Sequence, residues 1–115
     1  MIGPSPLDAA LKHVATNATR LDICRAEPIT YEAAIGQSSL GHTTALSFMD
    51  PEDMPGGRRI VLRETRGLIE QRGRPGWWAL SGNGSLLATG QIENASELVP
   101  GIEFELPPIT IGLMG

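Results

Sequence analysis

The stretch that decides the fold is Gly76 to Ile92, which reads GWWALSGNGSLLATGQI and contains both tryptophans of the chain. At its centre, Asn83-Gly84 lies between two apolar runs. Such a pair predicts a tight β-hairpin turn, because the favoured turns need positive φ at their central residues. Neighbouring side chains of a strand point to opposite faces. We therefore expect Trp78 to anchor the core and Trp77 to be exposed or at an interface.

Outside the hairpin, the sequence predicts short strands and a helix. Ser5 and Pro6 precede apolar residues at i, i+3, i+4 and i+7, which predicts an amphipathic helix over about residues 6–16. Thr30 is predicted to cap a single helical turn that ends at Gly36. Strands are predicted from Leu21, at Thr43 to Phe48, Arg58 to Glu64 and Gly67 to Gln71, and from Ile102 and Ile109 onward, with Asp50 to Gly57 as an exposed turn.

These elements predict a mainly β fold, a small antiparallel β-sandwich or flattened barrel with one short N-terminal α-helix. The segments between strands are too short for crossover helices. At 115 residues, we expect a single domain over residues 1–115. Met1 to Pro6 and Ile109 to Gly115 are predicted to be short arms, which either reach a neighbouring molecule or fray.

The composition restricts the environment of the protein. The N-terminus does not resemble a signal peptide, and no apolar run reaches the length of a membrane span. We expect a soluble protein that is made in the cytoplasm and does not enter a membrane. Cys24 is the only cysteine, which excludes an internal disulfide and a zinc site built on cysteine pairs. We expect Cys24 to be a small buried residue on a strand.

The residue types that carry chemistry are present, but not in catalytic patterns. His13 and His42 lack partners at metal-ligand spacing, and the acids at 50, 52 and 53 lack the spacing of a calcium loop. No serine lies in a Gly-x-Ser-x-Gly elbow. The glycines around Asn83 lead into a strand, whereas a phosphate cradle needs a helix behind the loop. The sequence therefore predicts no catalytic residue, no metal, no cofactor and no enzyme.

Charge is distributed unevenly along the chain. Residues 58–74 sum to +4, whereas residues 1–57 and 75–115 each sum to −4. Three interpretations of this segment are open: a nonspecific nucleic-acid patch, a protein-binding surface, or an ordinary solvated strand face. The acidic balance elsewhere counts against nucleic acid, and no sequence-specific nucleic-acid binding is expected. The basic segment contains Arg58, Arg59, Arg63, Arg66, Arg72 and Arg74.

The alternating charges also allow pairing between copies of the chain. The basic edge of one subunit would meet the acidic strand of the next through Glu103 and Glu105, which alternate with apolar residues. This hypothesis predicts a homo-oligomer. The candidate interface residues are therefore the six arginines, Trp77, Glu103 and Glu105.

The order of motifs adds a resemblance that spans nearly the whole chain. Its most specific pieces are Glu27-Pro28-Ile29-Thr30-Tyr31 and the hairpin from Trp78-Ala79-Leu80 to Leu87-Ala88-Thr89-Gly90. Together they resemble a family of small structural proteins encoded among the virion genes of tailed bacteriophages and prophages. This chain departs from the pattern at Arg63 to Arg74, where a Ser/Thr/Gly-rich strand pair is expected, and at Trp77, where His is common.

The resemblance implies a non-enzymatic virion protein that is made in the bacterial host and contacts other virion proteins, such as the major capsid or tail proteins. Within this class we favour a multi-copy head accessory protein that decorates or cements the capsid. A tail, neck or fibre-associated structural protein is the alternative. From another class, the alternative is a carbohydrate-binding module at the tail tip, with Trp77 or Trp78 stacked on a sugar ring.

Overall fold

The computed structural model describes residues 6–93 and 95–114, which form two helices and nine strands. The helices are α1 (Pro6–Asn17) and α2 (Tyr31–Ile35). The strands are β1 (Arg20–Cys24), β2 (Ser39–Thr43), β3 (Glu52–Met54), β4 (Gly57–Leu62), β5 (Thr65–Ile69), β6 (Trp77–Gly82), β7 (Ser85–Gln91), β8 (Glu103–Leu106) and β9 (Ile109–Met114).

All strand pairs are antiparallel, and the strands form two sheets. The larger sheet has the order β7-β6-β1-β2-β5-β8, and the smaller sheet has the order β3-β4-β9. Leu21 and Leu80 of the larger sheet form one buried cluster with Leu62 of the smaller sheet. The two sheets therefore pack face to face, and the predicted mainly β fold with an N-terminal helix is confirmed.

The hairpin forms as the sequence predicts. Asn83 has φ 52° and Gly84 has φ 73°, so both central residues of the β6–β7 turn occupy the left-handed region. Trp77 lies opposite Cys24 and Trp78 lies opposite Ile23 on β1. Because alternate residues face opposite sides of a strand, the expected opposite orientation of the two tryptophans is confirmed.

Both short helices form for local reasons that the sequence indicates. In α1, Leu11 is buried and Val14 packs against the cluster between the sheets. In α2, the Thr30 hydroxyl accepts a hydrogen bond from the Ala33 amide at 3.1 Å, and Gly36 follows the last helical residue. The predicted amphipathic helix and the predicted capped turn are both confirmed.

Close backbone approaches between strands require two glycines in the larger sheet. A Cβ atom on Gly67 would lie 2.5 Å from the ring of Phe104 and 2.6 Å from the carbonyl oxygen of His42. A Cβ atom on Gly41 would overlap the carbonyl oxygen of Leu68. These glycines let β2, β5 and the buried Phe104 pack together in the second core cluster, which also contains Ile23, Leu40 and Ile69.

Three sequence predictions are corrected. The predicted strand at Thr43 to Phe48 is wrong, because the paired residues of β2 run from Ser39 to Thr43 and include Gly41. The segment Asp50 to Gly57 is not only a turn, since it contains β3, which pairs with β4. The C-terminal segment does not fray, because Ile109–Met114 is a strand that pairs with β4 along its length, and contact of this segment with a neighbouring molecule stays a prediction. The N-terminal arm lies outside the described residues, except for Pro6.

A buried carboxylate joins the central strands to α2. Asp22 of β1 is 0% exposed, and its two oxygens accept hydrogen bonds from Nε and Nη2 of Arg20 at 2.8 and 2.9 Å. The Ser39 hydroxyl donates a third bond to Asp22 at 2.7 Å, and Arg20 also donates to the Ile35 carbonyl at 3.3 Å. The hydrogen bond with Asp22 raises the pKa of Arg20. A buried charge is tolerated when it is paired and hydrogen-bonded in this way.

Removing Arg20 should therefore destabilise the fold strongly. We expect Arg20→Ala to lower the free energy of unfolding by about 3–5 kcal/mol, because it leaves Asp22 buried without its counter-ion. Asp22→Asn should cost less, since no unpaired buried carboxylate remains. The matched control is Arg25→Ala at an exposed position, with an expected change within about 0.5 kcal/mol. Urea unfolding measures all three, and an equal effect at Arg20 and Arg25 would contradict this account.

Candidate interaction surface

One half of the outer face of the larger sheet is covered by α2. Ala34 of α2 is buried in a cluster with Cys24 and Ala79, and Trp77 and Leu86 pack against this cluster. These strand residues belong to β1, β6 and β7, so α2 lies over that side of the sheet. Within the described residues, no helix lies over β5 and β8 at the other side.

The uncovered half presents an apolar side chain among charges, which we call the β5–β8 patch. Leu68 is 56% exposed, and it lies opposite both His42 and Glu103. Arg66 lies opposite Glu105 on the same pair of strands. Directly opposed residues in antiparallel strands share a face, as do residues two apart. The patch therefore contains His42, Arg66, Leu68, Glu70, Glu103 and Glu105.

The charges of the β5–β8 patch are partly paired on the surface. Arg66 contacts Glu64 at 3.2 Å and Glu105 at 3.5 Å, and His42 Nδ1 lies 2.8 Å from Glu70. The bond to Glu64 and the charge of Glu105 raise the pKa of Arg66. Exposed ion pairs of this kind contribute little to stability. Three glutamates against one arginine leave the patch acidic around an apolar centre, which suits a partner with basic residues and an apolar cavity.

The six arginines of the basic segment do not form one continuous stripe. Arg58 shares the inward face of β4 with Ile60 and Leu62, and it donates to the two carboxylate oxygens of Asp8 on α1 at 2.6 and 3.1 Å. Arg58 also contacts Asp53 at 2.7 Å. These hydrogen bonds, with that of Asp8 the largest, raise the pKa of Arg58. Arg58 therefore connects α1 to the smaller sheet within the chain.

The other arginines lie at separate places on the surface. Arg59 pairs with Glu52 across β3 and β4 at 2.8 Å, whereas Arg66 is in the β5–β8 patch. Arg72 contacts Glu97 at 4.0 Å. Arg63 and Arg74 are exposed and have no ion-pair partner among the residues described. Most of the positive charge is thus balanced inside the chain, and pairing between copies through Glu103 and Glu105 stays a prediction.

The structure places both tryptophans in half-buried positions. Trp77 packs against the cluster under α2, so only part of its ring is open to the neighbour that the sequence predicts. Trp78 packs against the cluster between the sheets, as expected for a core residue. A Cβ atom on Gly90 would lie 2.5 Å from its indole ring. Gly90 therefore allows the ring to lie close to the backbone of β7.

An open groove of about 540 Å³ lies beside Trp78. One wall comes from the end of β7 and the residues after it, and the other comes from the connection between β8 and β9. Polar side chains at its border are Gln91, Glu93 and Thr110. An aromatic ring with a few polar groups in a concave site is typical of a small-molecule or sugar site.

The remaining candidates for chemistry occupy structural positions. Cys24 is fully buried on β1, as predicted, and burial raises the pKa of its thiol to about 12. A thiol with such a pKa is a poor nucleophile. Glu52 and Asp53 face arginines. The described residues contain no group of three or more metal-ligating side chains placed around a common point. Neither described helix has the length and hydropathy to cross a membrane.

The sequence contains a signal for the β5–β8 patch that the prediction missed. Arg66, Leu68 and Glu70 are every second residue of the segment that forms β5 and the position after it. Thr65 and Ile69, which point to the other face of this segment, are buried. This pattern places Leu68 with the charged residues and away from the core. Exposure at Leu68 follows only if the partner strands β2 and β8 present their polar faces on the same side, and the sequence does not fix that pairing.

The fold and this surface define a class: a small two-sheet antiparallel β protein with an acidic, partly apolar patch on one sheet. Comparison with protein-family models, with curated proteins and with solved structures finds no match to the chain.

Proposed function

We propose that this protein is a non-enzymatic structural subunit of a tailed-bacteriophage virion, held in place by protein–protein contacts and present in many copies. Within the particle we favour a head accessory role, in which the subunit decorates or cements the capsid. The observation that supports a binding role is the β5–β8 patch, where Leu68 is 56% exposed at the centre of a charged sheet face. The virion class is supported by the resemblance of the sequence.

The chemistry of the patch indicates the kind of partner. An exposed leucine surrounded by carboxylates fits a surface with an apolar cavity and basic residues around it. The partner proposed here is a major capsid or tail protein with such a surface. Many copies on one particle would let modest single contacts accumulate, because each additional contact forms at high effective concentration.

Leu68→Asp tests the patch directly. Particles that lack this protein would be incubated with the purified chain, and bound protein would be measured after sedimentation. We expect Leu68→Asp to weaken binding by at least about tenfold, since it replaces the apolar side chain at the centre of the interface with a charge that must be desolvated on binding. The matched control is Ile29→Asp, at a residue that is 87% exposed outside the patch. Wild-type binding by Leu68→Asp would contradict the assignment of the patch.

Sugar binding at the tail tip is a second candidate, and the groove beside Trp78 favours it. The sequence alone allows either tryptophan to stack on the sugar. Trp78, and not Trp77, lines the groove together with Gln91 and Glu93. A sugar ring would stack on the indole while its hydroxyl groups bond to the polar side chains.

Glycan-array binding separates this candidate from assembly. We expect a sugar-binding chain to lose its signal in Trp78→Ala and to keep it in Trp77→Ala. Because Trp78 also packs in the core, the double variant Gln91→Ala, Glu93→Ala provides the same test at exposed positions. If no glycan on the array binds, or if binding survives both groove variants, the groove is not a sugar-binding site.

A further inference from the structure

The two sheets end in four edge strands, and three of them carry features that prevent further pairing. Strand β3 has only three residues, including Glu52 and Asp53. Strand β8 has four residues, including Glu103 and Glu105, and Pro107 follows it. Short length, charge and proline are the ordinary means by which proteins protect sheet edges.

Strand β7 is protected by an irregularity. Leu80 of β6 lies opposite Ala88, whereas the next residue, Ser81, lies opposite Leu86. Leu87 is therefore an extra residue on the edge strand, as in a β-bulge. Bulges twist an edge away from the flat geometry that another strand needs.

Strand β9 has none of these features within its own length, although Pro108 precedes it directly. It has six residues, with the sequence ITIGLM, and contains no charged residue and no proline. Among the described residues it pairs with β4 alone, in continuous register from Leu62↔Ile109 to Gly57↔Met114. Its free edge is about 20 Å long at the usual rise of a strand. A long edge without charges is a template for pairing with another chain.

We infer that β9 pairs antiparallel with β9 of a second copy, across a two-fold axis at Ile111. This inference deepens the proposed function and rests on it for its biological role, since it names one partner of the structural subunit. Pairing would join the smaller sheets of two subunits into one sheet of six strands, with the order β3-β4-β9-β9-β4-β3.

The composition of β9 is self-complementary in this register. On the inner side, Ile109 would lie beside the partner subunit's Leu113, so the apolar rows of two subunits would join. On the outer side, Thr110 would lie beside the partner subunit's Gly112, and within each chain the Met54 side chain lies against Gly112. Strand β9 itself carries no charged side chain; the charged residues beside it are Arg59 of β4, the neighbour of Gly112, and Glu93, which borders the groove next to Thr110. The pairing therefore brings no two charges of β9 together.

Thr110→Lys tests the pairing at an exposed position of the edge. We expect the wild-type chain to sediment as a dimer and Thr110→Lys to raise the dissociation constant at least tenfold, because the two added like charges lie diagonally across the seam, within reach of each other. The matched control is Ser85→Lys, which adds the same charge at an exposed position of β7, the protected edge. A monomeric wild-type chain, or an unchanged dimer in Thr110→Lys, would overturn the inference.

A cysteine cross-link tests the register. Cys24 is buried, so Ile111→Cys introduces one reactive thiol per chain. Under mild oxidation we expect Ile111→Cys to form a disulfide-linked dimer and Ser85→Cys to stay monomeric on a denaturing gel. Slow amide exchange at β9 in a monomer would show that another segment of the same chain pairs with this edge. That result would also overturn pairing between copies.

The two proposals fail in different ways. A chain that dimerises through β9 and does not bind particles would contradict the proposed function and leave the edge pairing intact. A monomeric chain that binds particles through Leu68 would contradict the pairing alone. Sedimentation of Leu68→Asp and particle binding of Thr110→Lys separate these outcomes.

Discussion

The buried carboxylate of Asp22 is the constraint on which the rest of the structure depends. A charge at the centre of a sheet needs several hydrogen-bond donors, and Arg20 and Ser39 supply them from β1 and β2. Because Arg20 also donates to the carbonyl at the end of α2, this network holds the helix on the sheet together with the packing of Ala34 on Cys24 and Ala79. With α2 held over β1, β6 and β7, the face of β5 and β8 stays open. The position of the candidate interaction surface therefore depends on this hydrogen-bond network and on that packing.

The predictable parts of the fold are those that depend on neighbouring residues. The Asn83-Gly84 turn, the Thr30 cap and the opposite orientation of Trp77 and Trp78 follow from local geometry, and the structure confirms all three. The bounds of β2 depend on contacts with a distant strand at Gly41, and the prediction of that strand was wrong. The alternation of Ile109, Ile111 and Leu113 indicates a strand, but its pairing partner β4 lies about fifty residues away and is not evident from the sequence.

In the candidate site, too, the features that depend on distant strands are not predictable from neighbouring residues. The six arginines are close in sequence, but strand pairing directs Arg58 toward α1, Arg59 toward Glu52 and Arg66 toward Glu105. A charge sum over a segment therefore says little about the surface that the segment forms. The β5–β8 patch draws on three strands, so its composition depends on their register. The free edge of β9 likewise depends on the order of strands in the smaller sheet.

The β5–β8 patch lies on the larger sheet and the β9 edge on the smaller one, which would let a subunit bind a neighbour and a second copy at once. We propose that this chain is a structural component of a virion, and quantitative mass spectrometry of purified particles tests this role most directly. We expect many copies of this chain per particle, in a number that matches the symmetry of the assembly. Purified particles that contain none of it would overturn the proposed role.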